Sequence, residues 1–364
     1  MKGEKEIILV GALVGALAIV LVQFGNAANY GLCIACFLRD TVGALGLHRV
    51  ETVQYIRPEI QGIVLGAFLM AFARKEYYSR GGSSPLLRFL LGAFIILGAL
   101  MFLGCPLRMV LRLAGGDLNA IFGLAGFWTG IVIGVYFLNH GFALKRSYKL
   151  TQLEGYIFPA ANAGLFILLL TAPAFIFFSA KGPGASHAPV WLSLAAGLLV
   201  GLAAQKTRLC TVGGIRDWML FKDWRLLSGV LAIFITALVG NLLVGKFTPG
   251  FINQSIAHSD GLWNFLGMAL AGWGSVLLGG CPLRQLILSG EGNIDSVITV
   301  LGMMAGAAFA HNFGLASSAK GPTLNGQFAV LLGFVVLLIV SYVNREKISQ
   351  EKSKGADHVE ISRN

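Results

Sequence analysis

Gly104-Cys105-Pro106-Leu107-Arg108 recurs letter for letter as Gly280-Cys281-Pro282-Leu283-Arg284, 176 residues further along the chain. A second pattern recurs at almost the same distance. Leu32-Cys33, followed by Arg39-Asp40, returns as Leu209-Cys210, followed by Arg216-Asp217, at an offset of 177. Gly116 and Gly292 keep the offset of 176. Two separate motifs displaced by one shared distance mark an internal duplication. The two copies run from about 7 to 178 and from about 190 to 343.

Composition says where such a chain resides. Of its 364 residues, 56% are hydrophobic and only 12% are charged. A soluble domain carries about 25% charged residues, so most of this surface faces something other than water. The 48 glycines agree, because small residues let membrane helices approach closely. A net charge of +11 raises nucleic-acid binding. The basic residues, however, lie mainly in short loops between apolar runs, as membrane topology requires. No basic stripe with interleaved aromatics exists, so no nucleic-acid partner is expected.

A membrane span needs roughly 20 mostly apolar residues. Runs near 7–24, 60–78, 88–103, 119–138, 156–178, 190–205, 226–245, 262–279, 294–312 and 326–343 meet that need. The first, Ile7 to Phe24, is too long for a signal-peptide core. Two further stretches, 31–47 and 207–220, are short and carry charge. They read as re-entrant segments, tolerated only where protein or a wet cavity surrounds them. The fold class expected is all-α integral membrane: about ten spans in a five-plus-five inverted repeat, with short re-entrant helices meeting at the membrane centre.

Loop charges support the inversion. The 74–88 loop holds Arg74, Lys75, Arg80 and Arg88, whereas its image near 251–265 has no Lys or Arg. Opposite bias in matching loops implies opposite sides of the membrane, and both termini are expected to be cytoplasmic. Residues 1–343 form one transmembrane domain. The polar remainder, 344–364, has the composition of a disordered cytoplasmic tail.

Four of the five cysteines, Cys33, Cys105, Cys210 and Cys281, are the repeated motif positions. In the Gly-Cys-Pro motifs, Pro106 and Pro282 suit the first turn of a helix. Gly104 and Gly280 permit a sharp turn before it. Cys105 and Cys281 should therefore stand just before helices that begin inside the membrane. Such N-termini offer free N–H groups and the positive end of a dipole, a ready anion site. Arg108 and Arg284 fall in the first turn, either to add charge or to snorkel to headgroups. Arg39, Asp40, Arg216 and Asp217 are expected to tie or gate the re-entrant segments. Thiols are weak donors, and a conducting path needs binding weak enough to release its cargo. Together these features point to a soft anion, such as a sulfur or selenium oxyanion or its reduced form. A hard anion would be met by arginine pairs.

Cys33-Ile-Ala-Cys36 is also a C-x-x-C pair, which keeps a membrane thiol-disulfide oxidoreductase open as an alternative. Gly213 replaces Cys36 in the second copy, so that pair stands outside the duplication. The six histidines do not cluster at metal-ligand spacing. No phosphate-binding loop is present, and no acidic residue sits mid-span. Neither metal, cofactor nor catalytic residue is expected. Asn241 is a polar residue within a span, suited to bonding a neighbouring helix.

The paired Leu-Cys…Arg-Asp and Gly-Cys-Pro elements resemble the YeeE/YedE family of sulfur-compound transporters, which includes thiosulfate permeases. Gly-Cys-Pro-Leu-Arg in both halves looks closest to the YedE-type members associated with selenium. The resemblance covers about 7 to 343. It implies an hourglass-shaped helical protein of the inner membrane, importing an anion passed along buried S–H groups. Cys33, Cys105, Cys210 and Cys281 would form that relay, and a soluble cytoplasmic sulfur or selenium carrier would be a natural partner. A selenium species is then the first expectation and thiosulfate the alternative.

Overall fold

The computed structural model describes residues 2–346. The chain runs through α1 (Lys2–Gln23), α2 (Ile34–Ala44), α3 (Pro58–Ala73), α4 (Pro85–Phe102), α5 (Pro106–Ala114), α6 (Asn119–Asn139) and α7 (Gln152–Thr171). A second series follows: α8 (Val190–Thr207), α9 (Thr211–Phe221), α10 (Arg225–Leu243), α11 (Gly261–Leu277), α12 (Pro282–Gly290), α13 (Ile294–Asn312) and α14 (Leu324–Val343). Two-residue strands, β1 (Arg80–Gly81) and β2 (Tyr148–Lys149), clip two loops together. The protein is an all-α integral membrane protein. Among the described residues, nine helical segments are long and apolar enough to cross a membrane.

The tenth expected span, 60–78, is the shorter helix Pro58–Ala73. Arg57 and Pro58 set its start, and the charged run Arg74-Lys75-Glu76 follows its end. The expected re-entrant stretches are the short helices α2 and α9. Two more short helices, α5 and α12, follow the Gly-Cys-Pro motifs. The polar tail beyond 346 lies outside the described residues. Just before it, Glu346 N–H donates to the Gly141 carbonyl and Ala143 N–H to that of Asn344.

Helices of the two series exchange partners. α1 packs on α10 and α3 on α8, while α4 packs on α13 and α6 on α11. A two-fold relation between the halves would produce such crossed pairs. Rows of small residues make them possible, since apolar packing in lipid depends on close backbone approach. Gly62 and Gly66 on α3 face Gly197 and Gly201 on α8, and Gly126 and Gly130 on α6 meet the Phe265 and Ala269 carbonyls of α11. The last helix of each series departs from the relation. α7 packs against α3, whereas α14 packs against α4 and α11.

Contacts between loops define two faces. One gathers the start of α1 and loops 74–84, 140–151, 205–208 and 291–293, through Glu6–Lys206, Glu76–Gln205, Arg80–Asn293 and Phe142–Arg345. The other gathers loops 24–57, 103–118, 172–189 and 244–260, through Asn26–Ala188, Gln54–Ser179 and Asp117–Gly250.

Gly130→Ala should lower stability by about 1–3 kcal/mol, because the added Cβ overlaps the Ala269 carbonyl. Gly164→Ala, with nothing near its added Cβ, should be neutral or stabilise by up to about 1 kcal/mol. Thermal unfolding of the two variants in one detergent distinguishes this from general intolerance of glycine replacement.

Candidate functional site

Four short helices begin at four cysteines. Cys33, Cys105, Cys210 and Cys281 are the N-cap residues of α2, α5, α9 and α12. Each has extended backbone, and each is buried. The Gly-Cys-Pro motifs lead to this for Cys105 and Cys281, with proline at the first helical position. The same role for Cys33 and Cys210 was not expected. Their sulfurs accept backbone N–H groups three residues on, from Cys36 at 3.4 Å and from Gly213 at 3.3 Å. Identical spacing after each cysteine was the available signal. It was masked because Ser, Thr, Asp and Asn are the residues expected at an N-cap.

The cysteines meet in two pairs, one per half. Cys210 and Cys281 sulfurs are 3.7 Å apart, and the Cys281 N–H points at the Cys210 sulfur at 3.5 Å. In the first half Cys33 and Cys105, at the equivalent positions, are likewise buried N-caps, and the Cys33 sulfur accepts the Cys36 N–H. No two of the five cysteines are bridged. Cys36, outside the duplication, joins the first pair as a third buried sulfur. Its thiol lies 3.8 Å from Arg108 Nη1. Gly104 and Gly280 are needed where they stand: a Cβ on either would press on the side chain of Arg108 or Arg284 respectively.

Arg108 does not snorkel. It is fully buried and donates to the carbonyls of Asn29 (3.0 Å), Leu103, Ser255 (3.3 Å) and Ile256 (3.2 Å). Among the described residues, no carboxylate lies within salt-bridge distance of it. It fastens three loops over the Cys33–Cys105 pair. Its counterpart Arg284 pairs with Glu291 at 3.0 Å and is partly exposed. The two copies therefore differ most where their motifs are identical.

Arg39 and Arg216 each pair with the adjacent aspartate, Asp40 at 2.6 Å and Asp217 at 2.8 Å. They do not cap carbonyls at the ends of their helices. Asp40 also receives Arg57 at 2.8 Å, and Arg39 donates to Tyr30 Oη at 2.6 Å. Arg112 pairs with Asp117 at 2.6 Å, fully buried. Arg57, Arg112 and Asp117 went unremarked in the sequence, because loop charges beside a span resemble headgroup anchors. Asn241 does bond a neighbouring helix, donating to the Ala114 carbonyl at 3.2 Å.

Each arginine of the repeated pairs lines a cavity beside a cysteine motif. One cavity, of about 460 Å3, is walled by Arg39, Leu103, Ile256, His311 and Ser317, next to Cys105 in the chain. The other, of about 240 Å3, is walled by Arg88, Arg216, Leu278 and Gly279, next to Cys281. Leu103 and Gly279 are equivalent at the offset of 176, and both have positive φ, 61° and 80°. In the first cavity the His311 ring lies 4.8 Å from that of His48, tilted by 34°. Burial holds the His48 imidazole, in the loop after α2, below its ordinary pKa, and its Nε2 meets the Arg39 carbonyl at 3.1 Å.

Four buried cysteine-capped helix starts inside a bundle of apolar helices define a polytopic membrane protein with a buried thiol centre. Residues 206–355 match the family model described as sulphur transport. Over 103 residues, 28% of the chain, it is 34% identical to a thiosulfate transporter, TsuA, of Spirochaeta thermophila, covering 31% of that protein. Over 115 residues it is 30% identical to the thiosulfate transporter TsuA of Escherichia coli, covering 32% of each protein. The chain thus spans about a third of the length of these curated relatives. These matches bear out the resemblance to the YeeE/YedE family of sulfur-compound transporters, and the family model covers residues 206–355.

Asp40→Asn should cost about 3–5 kcal/mol, because two buried guanidinium groups lose their shared counter-charge. Asp217→Asn, in a partly exposed pair, should cost about 1 kcal/mol or less. Equal melting shifts for the two variants would show that the copies are not differently committed.

Proposed function

We propose that the protein carries a small sulfur-containing anion, thiosulfate first among them, across the membrane along its two thiol pairs. The observation that carries this is the four-fold use of cysteine as the N-cap of a buried helix. An N-terminus buried in protein leaves several N–H groups and a positive partial charge facing inward. Serine or aspartate there would satisfy them from within the chain. A thiol is a poorer acceptor, so the positive potential remains available to a passing anion. The S–H groups can donate weakly to the same anion, which binds without being trapped.

Arg39 and Arg216 at the two mouths raise the local anion concentration. Their carboxylate partners limit that attraction, so neither mouth becomes a sink. The face holding loops 74–84, 140–151 and 205–208 is the basic one. It carries Arg74, Lys75, Arg80, Lys145, Arg146, Lys149, Lys206 and Arg208, against exposed Arg49, Lys181, Lys246 and Lys320 opposite. That asymmetry supports a cytoplasmic assignment for the basic face and for the start of α1, in an inner membrane. Import would then run from the Arg39 cavity to the Arg216 cavity, past Cys33 and Cys105 before Cys210 and Cys281. A soluble carrier receiving the anion fits that direction.

Thiosulfate stands ahead of a selenium species because the relatives at hand are thiosulfate transporters, whereas selenium rests on the paired Gly-Cys-Pro-Leu-Arg alone. The Cys33–Cys36 oxidoreductase has less support, since all five sulfurs are buried and none presents itself to a partner protein. In cells lacking their own carriers, uptake of radiolabelled thiosulfate should fall at least about tenfold in Cys105→Ala and in Cys281→Ala, about the effect of losing 1.4 kcal/mol. Membrane levels of each variant are measured alongside. Undiminished uptake in both would remove the thiol path, and selenite displacing thiosulfate at equal concentration would restore the selenium species.

A further inference from the structure

The duplication builds two equivalent lateral grooves of similar size, and among the described residues only the first is lined by the last helix of its own half. The first, of about 480 Å3, is walled by Leu38 and Thr41 of α2 and by Val300 and Met304 of α13. Helix α7 closes it with Ile157, Phe158 and Ala161. The second, of about 440 Å3, is walled by Ile215 and Trp218 of α9 and by Leu124 and Trp128 of α6. Those residues are the motif-offset equivalents: 215 and 218 lie 177 after 38 and 41, and 124 and 128 lie 176 before 300 and 304. Helix α14, the counterpart of α7, sits instead against α4 and α11. The second groove therefore lacks the wall that α7 gives the first.

Its lining tells what fills it. The walls are almost wholly apolar, with Met109, Leu227 and Phe234 deeper in. One end carries an aromatic ladder: Trp128 to Trp218 at 5.6 Å, then Trp218 to Trp224 at 5.4 Å. Indole rings of this kind settle at the headgroup level. Lys222 Nζ lies 5.2 Å from the centre of the Trp218 ring, and Arg225 follows at the start of α10. Asp217 is paired with Arg216, and Asp223 accepts the Arg225 N–H. An apolar slot ending in indoles and the Lys222 ammonium suits an acyl chain below a negative headgroup.

We propose that this groove is a binding site for an anionic phospholipid, which takes the place that α7 occupies in the other half. The site has a consequence for the anion path. Helix α9 forms one wall of the groove and carries Cys210 at its N-cap, with Thr211 at the groove's deep end. A chain seated there packs the helix that positions the second thiol pair.

The test uses the full chain in phosphatidylcholine vesicles containing brominated phosphatidylglycerol or, separately, brominated phosphatidylcholine. Tryptophan fluorescence reports which lipid reaches the groove. Brominated phosphatidylglycerol should quench at a several-fold lower mole fraction than brominated phosphatidylcholine. The preference should vanish in Lys222→Gln/Arg225→Gln, and the quenched component should shrink in Trp128→Phe. Identical quenching curves for the two lipids in the wild-type protein overturn the proposal. Resistance of the groove tryptophans to both lipids overturns it as well, and marks a groove covered by a helix of a second copy or of another protein. None of these readouts depends on which anion is carried.

Discussion

A helix that starts inside a membrane protein leaves N–H groups pointing into a medium that cannot solvate them. This structure has four such starts, and the rest is arranged around them. The crossed pairs α1–α10, α3–α8, α4–α13 and α6–α11 form the wall that keeps lipid away from those ends. The glycine rows let that wall close. The loops beneath Arg108 and the ring of carbonyls it holds seal one end without placing a carboxylate near the thiols. A carboxylate there would neutralise the helix ends and occupy the place of a travelling anion.

The duplication has diverged in the treatment of charge. In the first half, Arg39, Arg57 and Asp40 form a buried cluster, Arg112 and Asp117 another, and Arg108 meets carbonyls and the Cys36 thiol. In the second half, Arg216–Asp217 and Arg284–Glu291 are partly exposed, and Leu288 occupies the position equivalent to Arg112. Burial of paired charges fixes geometry more than it adds stability. The first half thus keeps its ion pairs buried, and the second leaves them partly exposed. The departure of α7 and α14 from the shared pattern adds to the difference, since only the first half has its own helix across the lateral groove.

Much of the architecture was legible in the sequence, because membrane helices announce themselves by length and hydropathy and a duplication by spacing. The breaks at 31–47 and 207–220 correspond to α2 and α9, and proline after Cys105 and Cys281 marked two helix starts. What could not be read follows from tertiary partners. Arg57 is buried because Asp40, 17 residues away, meets it, and hydropathy cannot see that pairing. Arg108 is buried because loops distant in sequence supply carbonyls. Cys33 and Cys210 act as caps through a sulfur acceptor that residue preferences do not favour. Helix α14 fits the pattern of a span whichever groove it enters.

The choice of sulfur is the step that joins fold to transport. One strong site would hold an anion and stop it. Two weak sites in series let it advance, provided neither outcompetes the other by more than a few RT. Oxygen caps would spend the dipole on the chain itself, and arginine in the path would hold too tightly. A buried thiol leaves the N-terminal potential uncancelled while adding little attraction of its own. Duplicating that arrangement yields a second site of the same kind, and the two differ in charge: the Arg108 guanidinium lies 3.8 Å from the Cys36 thiol beside the first, whereas Arg284 beside the second is paired with Glu291.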